Sequence, residues 1–235
     1  MLYPGNVINI FNTDTANYTF ENDERTKYKQ FNEAYFHRLQ LKDRFVDSAQ
    51  KLLRFIIKKH EKVHGEAKNP KKSKKVNLDY VFVGIHSRRT DHLEYEKKHN
   101  MNALDARYYL DAMNLYREKF RKENKKKRLI FIFVSDDIQW GKDKLFYRVK
   151  ERDLYFGGSG LPDVEDSIGK DFALLASCNH TIESHGSFSY FAGALAGGFK
   201  IKPNHFTKYR ETKHNENPFW TRNPLDILPP RITSF

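Results

Sequence analysis

The chain has 235 residues, 39% of them hydrophobic and 14% aromatic, which is enough apolar material for one packed domain and too much for a chain disordered as a whole. Lys and Arg outnumber Asp and Glu by 12, so acidic partners such as phosphates, nucleic acid or a membrane surface have to be weighed. A single cysteine, Cys178, excludes an internal disulfide framework; no apolar run approaches the ~18 residues of a membrane span, and Met1-Leu2-Tyr3-Pro4 does not open a secretory signal.

Residues 1–36 are polar and Asn-rich without a sustained period, and they carry the glycosylation sequon Asn17-Tyr18-Thr19. From Leu41 to Lys59 the residues Phe45, Ala49, Leu52, Leu53, Ile56 and Ile57 recur at helical spacing and predict a long amphipathic helix. A loop with Lys68, Lys71, Lys72, Lys74 and Lys75 separates it from Tyr80–Ile85, a continuous apolar run that predicts a strand buried on both faces. A helix follows over Ala106–Phe120, with Tyr109, Ala112, Met113, Tyr116 and Phe120 on one side. The basic run Arg121–Arg128 leads into a second buried strand, Leu129–Val134. Each basic run carries +5, leaving +2 for the rest of the chain, and neither contains an aromatic residue, so both read as solvated loops rather than a nucleic-acid-binding face.

Beyond this point the pattern predicts a helix near Ile138–Phe146, a short strand at Leu154–Phe156, a helix over Asp171–Ser177, a strand at Thr181-Ile182 and a helix over Phe188–Leu195. That alternation argues for an α/β fold, a Rossmann-type parallel sheet with helices on both faces, preceded by a helical segment. Residues 1–78 are expected to be a helical and irregular region, and residues 79–235 a Rossmann-like domain.

In open α/β sheets ligands bind beyond the carboxyl ends of the strands, so the residues directly after each apolar run carry the functional signal. After the first strand comes His86-Ser87-Arg88-Arg89-Thr90-Asp91. Its arginines either hold a diphosphate through bidentate hydrogen bonds or close the turn as a surface Arg–Asp pair. After the second comes Ser135-Asp136-Asp137, where an aspartate either caps the next helix or contacts a nucleotide. After Thr181-Ile182 comes Glu183-Ser184-His185-Gly186-Ser187-Phe188, a Gly/Ser turn entering a helix, which suits a phosphate. No His/Cys/Asp cluster shows metal-ligand spacing, so no metal is expected, and Cys178 reads as a packing residue.

Two segments resemble a known family. Val83-Gly84-Ile85-His86-Ser87-Arg88-Arg89-Thr90-Asp91 resembles the H-x-R-R-x-D motif of the α1,2-, α1,6- and protein O-fucosyltransferases. Lys170–Ile182, Gly186-Ser187-Phe188 and Ala196-Gly197-Gly198 resemble the animal α1,2-fucosyltransferases, glycosyltransferase family 11. The resemblance runs from about residue 37 to 200 and beyond. It implies a GT-B-like architecture and inverting transfer of L-fucose from the donor substrate GDP-β-L-fucose to a hydroxyl of a glycan acceptor, the 2-OH of a galactoside, with no cofactor and no metal. It implies a Golgi membrane address on the lumenal side, through an anchor that this chain does not show, and no nucleic-acid partner.

On the resemblance, Arg88 holds the diphosphate, His86 and Arg89 order the turn, and Ser187 with the Phe188 amide completes the phosphate site. Asp136 is a further donor contact. Asp171 stands sixteen positions before Ser187, as a guanine-binding aspartate does in the related α1,6 enzymes, and is the candidate for base recognition. Asp91 is the candidate general base, with Glu94 and Glu96 following on the same loop. Asn17 and Asn179 head the two sequons, the second of which enters a strand.

This sequence departs from the family pattern in four places. Thr90 replaces a common glycine, Asp136 stands where asparagine is usual, the loop at 68–75 looks like an insertion, and the glycine-rich G-x-G-N stretch that opens the catalytic domain is missing, as in an N-terminally truncated chain. The alternative is therefore a non-catalytic GDP-sugar-binding remnant of the family; a basic nucleic-acid-binding protein stands far behind.

Overall fold

The computed structural model describes residues 40–65, 79–99, 101, 104–123, 127–158, 165–203 and 220–221. The two continuous apolar runs become its central strands, β1 (Asp79–Ser87) and β2 (Lys127–Ser135), paired in parallel from Asp79↔Lys127 to Ser87↔Ser135. β3 (Leu154–Phe156) adds in parallel to β2, β4 (His180–Ile182) to the other edge of β1, and β5 (Lys200–Ile201) to β4. An antiparallel strand, β6 (Trp220–Thr221), closes that edge and gives the order β3-β2-β1-β4-β5-β6. The chain runs outward in one direction through β2 and β3, then returns and runs outward the other way through β4 and β5. The topological switch point therefore lies between β1 and β4, where a ligand cleft is expected.

Successive strand residues point to opposite faces, and two cores follow from this. Val81, Val83 and Ile85 of β1 pack with Tyr109, Met113, Tyr116 and Phe120 of α3 (Ala106–Glu123) and with residues around α4 (Ile138–Lys144). Phe82, with Ile130, Ile132 and Val134 of β2, packs with Phe45, Leu53 and Ile56 of α1 (Asp43–Val63), with Phe172 and Leu175 of α5 (Glu165–Ala176) and with Ala192 of α6 (Ser187–Ala196). Helices cover both faces, as the alternation predicts. The helix of the 1–78 segment shares this second core with the sheet. Gly84 has a packing reason here: a Cβ would come within 2.9 Å of the Leu175 side chain and 3.2 Å of Cys178 Sγ. Cys178 is buried, and burial pushes its thiol pKa up, in keeping with a packing role.

Three elements differ from the sequence expectation. A helix, α2 (His92–Lys98), follows the arginine turn; its one buried residue is Glu96, so it has no apolar stripe to betray it. α5 begins six residues ahead of Asp171, at Glu165. The second basic run is not a loop throughout: Arg121 lies in α3, and Lys127 and Arg128 open β2. The expectations for Asn17 and the lysine-rich loop lie outside the described residues.

Candidate functional site

The arginine turn is tied to the end of β2 by one aspartate. Asp136 Oδ1 accepts from the Arg89 N–H at 2.9 Å, and Oδ2 accepts from Thr90 Oγ1 at 2.6 Å and pairs with Arg88 Nη1 at 2.9 Å. The other end of the Arg88 guanidinium meets Asp91 Oδ1 at 2.6 Å, so the surface ion pair is formed, while the Arg88 side chain remains 35% exposed at the cleft. Of the two acids after β2, Asp137 is the helix cap, accepting from Trp140 N at 3.0 Å. Asp136, expected as a nucleotide contact, has both oxygens engaged in the turn, with a side chain only 6% exposed.

Ser184, which sequence reasoning passed over, joins this turn to the one after β4. Its Oγ accepts from the Arg88 N–H at 3.1 Å and hydrogen-bonds with His86 Nδ1 at 2.7 Å. Burial, then the Arg88 and His92 charges, pull the His86 pKa down to about 3, which keeps its imidazole neutral near pH 7. Its ring tilts against Phe188, with centroids 4.8 Å apart, and Phe188 in turn meets Phe172 edge-on. Gly186, at φ 101°, turns the chain into α6. Ser187 stands exposed in the first turn of that helix, and Ser189 Oγ donates to Ser184 O at 2.9 Å. His86, Arg88, Ser184, Ser187 and Phe188 therefore meet at the switch point, together with the N–H groups of the first turn of α6.

The three acids proposed as bases occupy different settings. Asp91 is 72% exposed and held by Arg88, and Glu94 is exposed on α2. Glu96 is buried, its Oε1 lying 3.9 Å from His92 Nε2 and 4.0 Å from His185 Nε2. Burial raises the Glu96 pKa against the opposing Arg89 charge, and it lowers that of His92 with help from His185 and Arg88. Glu183, paired with Lys200 at 3.7 Å, is pushed up to about 6 by burial.

Asp171 sits elsewhere on the same edge. It lines a cavity of about 240 Å³ with Ser48, Leu52, Gly158, Ser167 and Lys170, between α1, α5 and the end of β3. Gly158 has φ 85°, and a Cβ there would lie 2.6 Å from Asp171 Oδ1, so a glycine is needed twice over for the carboxylate to occupy this position. β3 is two strands from β1, about 10 Å away across the sheet. Asn179 is engaged at the start of the sheet: its Oδ1 accepts from Phe82 N at 2.8 Å, and Thr181 of its sequon is buried in β4.

The sequence profile of glycosyl transferase family 11 matches residues 7–223. A galactoside alpha-(1,2)-fucosyltransferase 1 from Oryctolagus cuniculus is 32% identical over 66% of this chain and 40% of its own length. One of the same name from Bos taurus is 36% identical over 63% of this chain and 41% of its own length. The chain thus spans about two fifths of these curated relatives. The solved fucosyltransferase NodZ from Bradyrhizobium aligns at 15% identity and TM-score 0.42, over 72% of this chain and 47% of that one.

Proposed function

The chain belongs to glycosyl transferase family 11, and on that premise we propose that it binds GDP-β-L-fucose at the switch point and transfers fucose, with inversion, to a sugar hydroxyl, the 2-OH of a galactoside. The observation that carries this reading is the Arg88 guanidinium, fixed from behind by the buried Asp136 and met in front by the exposed Asp91, beside the first turn of α6. A diphosphate accepting from that front edge of Arg88 displaces Asp91. It finds its second set of donors in the N–H groups of Ser187 and Phe188 and the Ser187 hydroxyl. As the bond from C1 to the diphosphate oxygen breaks, negative charge grows on that oxygen, and these fixed donors stabilise it without having to reorganise. Released from Arg88, the Asp91 carboxylate is the base that takes the acceptor's proton as its oxygen attacks C1 from the opposite face. The nucleoside extends along the sheet edge toward β3, where Asp171 accepts from the N–H groups of guanine. By the family resemblance the setting is the lumenal side of the Golgi membrane; among the described residues no helix is long and apolar enough to cross a membrane.

Calorimetric titration with GDP and GDP-fucose tests the reading. Binding that is present in the wild-type chain and absent in Arg88→Ala is expected; unchanged affinity in the variant would sink it. Binding of GDP-fucose with no transfer to any galactoside would remove the catalytic role and leave the non-catalytic GDP-sugar-binding one.

A further inference from the structure

On the opposite face of the same sheet edge, a second cavity, of about 360 Å³, opens between α2, the start of α3 and α4. Its walls carry four cations, Arg89, Arg107, Lys144 and Arg148, against one acid, Asp105, with Trp140 and two leucines between them. Asp105 does not neutralise them, because its Oδ1 already accepts from the N–H groups of Arg107 and Tyr108 at 3.0 and 3.1 Å and so caps α3. Arg107 leans to Asp111 at 3.5 Å. Lys144 and Arg148 are exposed and have no acidic partner among the described residues.

Arg89 is the informative member. Its guanidinium lies 3.8 Å from the Trp140 ring centroid and its side chain is only 13% exposed, yet its single hydrogen bond among the described residues is a long one, 3.4 Å to Leu104 O. Among the described residues Nε is buried without a hydrogen-bond partner, and its ion pair with Asp137 is a long one, 3.8 Å. A nearly buried guanidinium with unmatched donors, on the wall of a cavity that two unpaired cations also enter, fits a planar or tetrahedral anion. The volume is at the lower end of small-molecule sites, about 300 Å³, and suits one sugar ring rather than a nucleotide.

We infer that this cavity receives an acidic sugar of the acceptor glycan, one carrying a sulfate ester. The inference rests on the fucosyl-transfer reading above. Arg89 is the neighbour of Arg88 in one turn, so a group held here lies beside the point of transfer. The donor has its own anchors at α6 and, on the other face, at Asp171.

The test is a titration of the full chain, at low salt so that the exposed cations are not screened, with GDP, lactose, 3′-sulfolactose and 6′-sulfolactose. The two esters keep the galactose 2-OH free. The inference expects one ester to bind at least tenfold more tightly than lactose, and this preference to vanish in the double variant Lys144→Glu/Arg148→Glu while its GDP affinity stays at the wild-type value. Equal affinity for lactose and both esters overturns it, as does a preference that survives the double variant. No saturable binding of either ester, with or without GDP, also overturns it. Loss of GDP binding in the double variant, or competition between GDP and the ester, assigns the cavity to the donor's phosphates and overturns it equally. Absence of GDP binding in the wild-type chain counts against the donor reading alone, because the ester preference is read separately.

Discussion

Two cavities at one sheet edge have opposite characters. On the face covered by α1 and α5 the cavity is lined by serines, a glycine and the balanced pair Asp171 and Lys170; on the face covered by α3 and α4 four cations surround one occupied acid. Both lie beyond the carboxyl ends of parallel strands, so topology alone does not tell them apart. Charge does. A carboxylate poised over a glycine suits a ligand offering N–H donors, as guanine does, and unmatched guanidinium donors suit an anion. Arg89 of the arginine turn lines the second cavity, and the proposed reading gives Arg88 to the donor and Arg89 to the far side.

The sharpest way to break this contrast is Arg88→Ala, which is expected to abolish GDP binding by calorimetry because a charge-assisted bidentate contact has no substitute in the cleft. Asp171→Ala comes next. Losing hydrogen bonds between a charged acceptor and the base costs about 1.5–3 kcal/mol, roughly a 10- to 100-fold weaker GDP titration. Sulfolactose binding should be untouched, and a variant that weakened the ester and spared GDP would reverse the assignment of the two cavities.

Much of this edge was legible in the sequence because buried parallel strands are continuous apolar runs, and the residues that follow such runs are the ones a cleft uses. Tyr80–Ile85 and Leu129–Val134 gave away β1 and β2, and with them the position of His86, Arg88 and Arg89. α2 was illegible, since a helix whose only buried residue is Glu96 leaves no periodic signature. So was the division of labour between Asp136 and Asp137. Residue type is the same at both positions, and what separates them is the Ser87↔Ser135 register that places Asp136 beside Arg89. The cationic cavity draws on four separate segments, which no local pattern brings together.

That division of labour gives the next prediction. Asp136→Ala leaves the Arg89 N–H, the Thr90 hydroxyl and one end of Arg88 without their partner, and, with Arg88 one third exposed, is expected to cost about 2 kcal/mol in urea denaturation. Asp137→Ala removes one cap and should cost about 1 kcal/mol. The reverse ranking would show that the turn is held from elsewhere. Acid should lower the stability of the fold as well. His86 and His180 are pulled from 6.5 to about 3 and about 4 by burial, so below pH 6.5 the unfolded chain takes up protons that the folded chain refuses, and stability falls as pH falls. The slope approaches about 1.4 kcal/mol per pH unit for each histidine. Glu183, raised from 4.5 to about 6, acts in the opposite sense between those values, since there the folded chain holds the extra proton. Urea titrations at pH 7, 6 and 5 should show the net fall, and His86→Gln should flatten it.

The smallest effect belongs to Ser184→Ala. The hydroxyl accepts from Arg88 N and hydrogen-bonds with His86 Nδ1, so one substitution unfastens the turn after β1 from the turn after β4 without touching either cavity. Each lost bond is worth about 1 kcal/mol and water can replace the one at Arg88, so the expected loss of stability is about 1 kcal/mol. On the proposed reading GDP contacts both turns at once, at Arg88 and at the start of α6, whereas an acidic acceptor touches only the Arg89 side. The variant should therefore weaken GDP severalfold by calorimetry and leave sulfolactose at its wild-type affinity. Equal weakening of both would mean that the two turns form one rigid platform, and that the separation of donor and acceptor sides rests on charge alone.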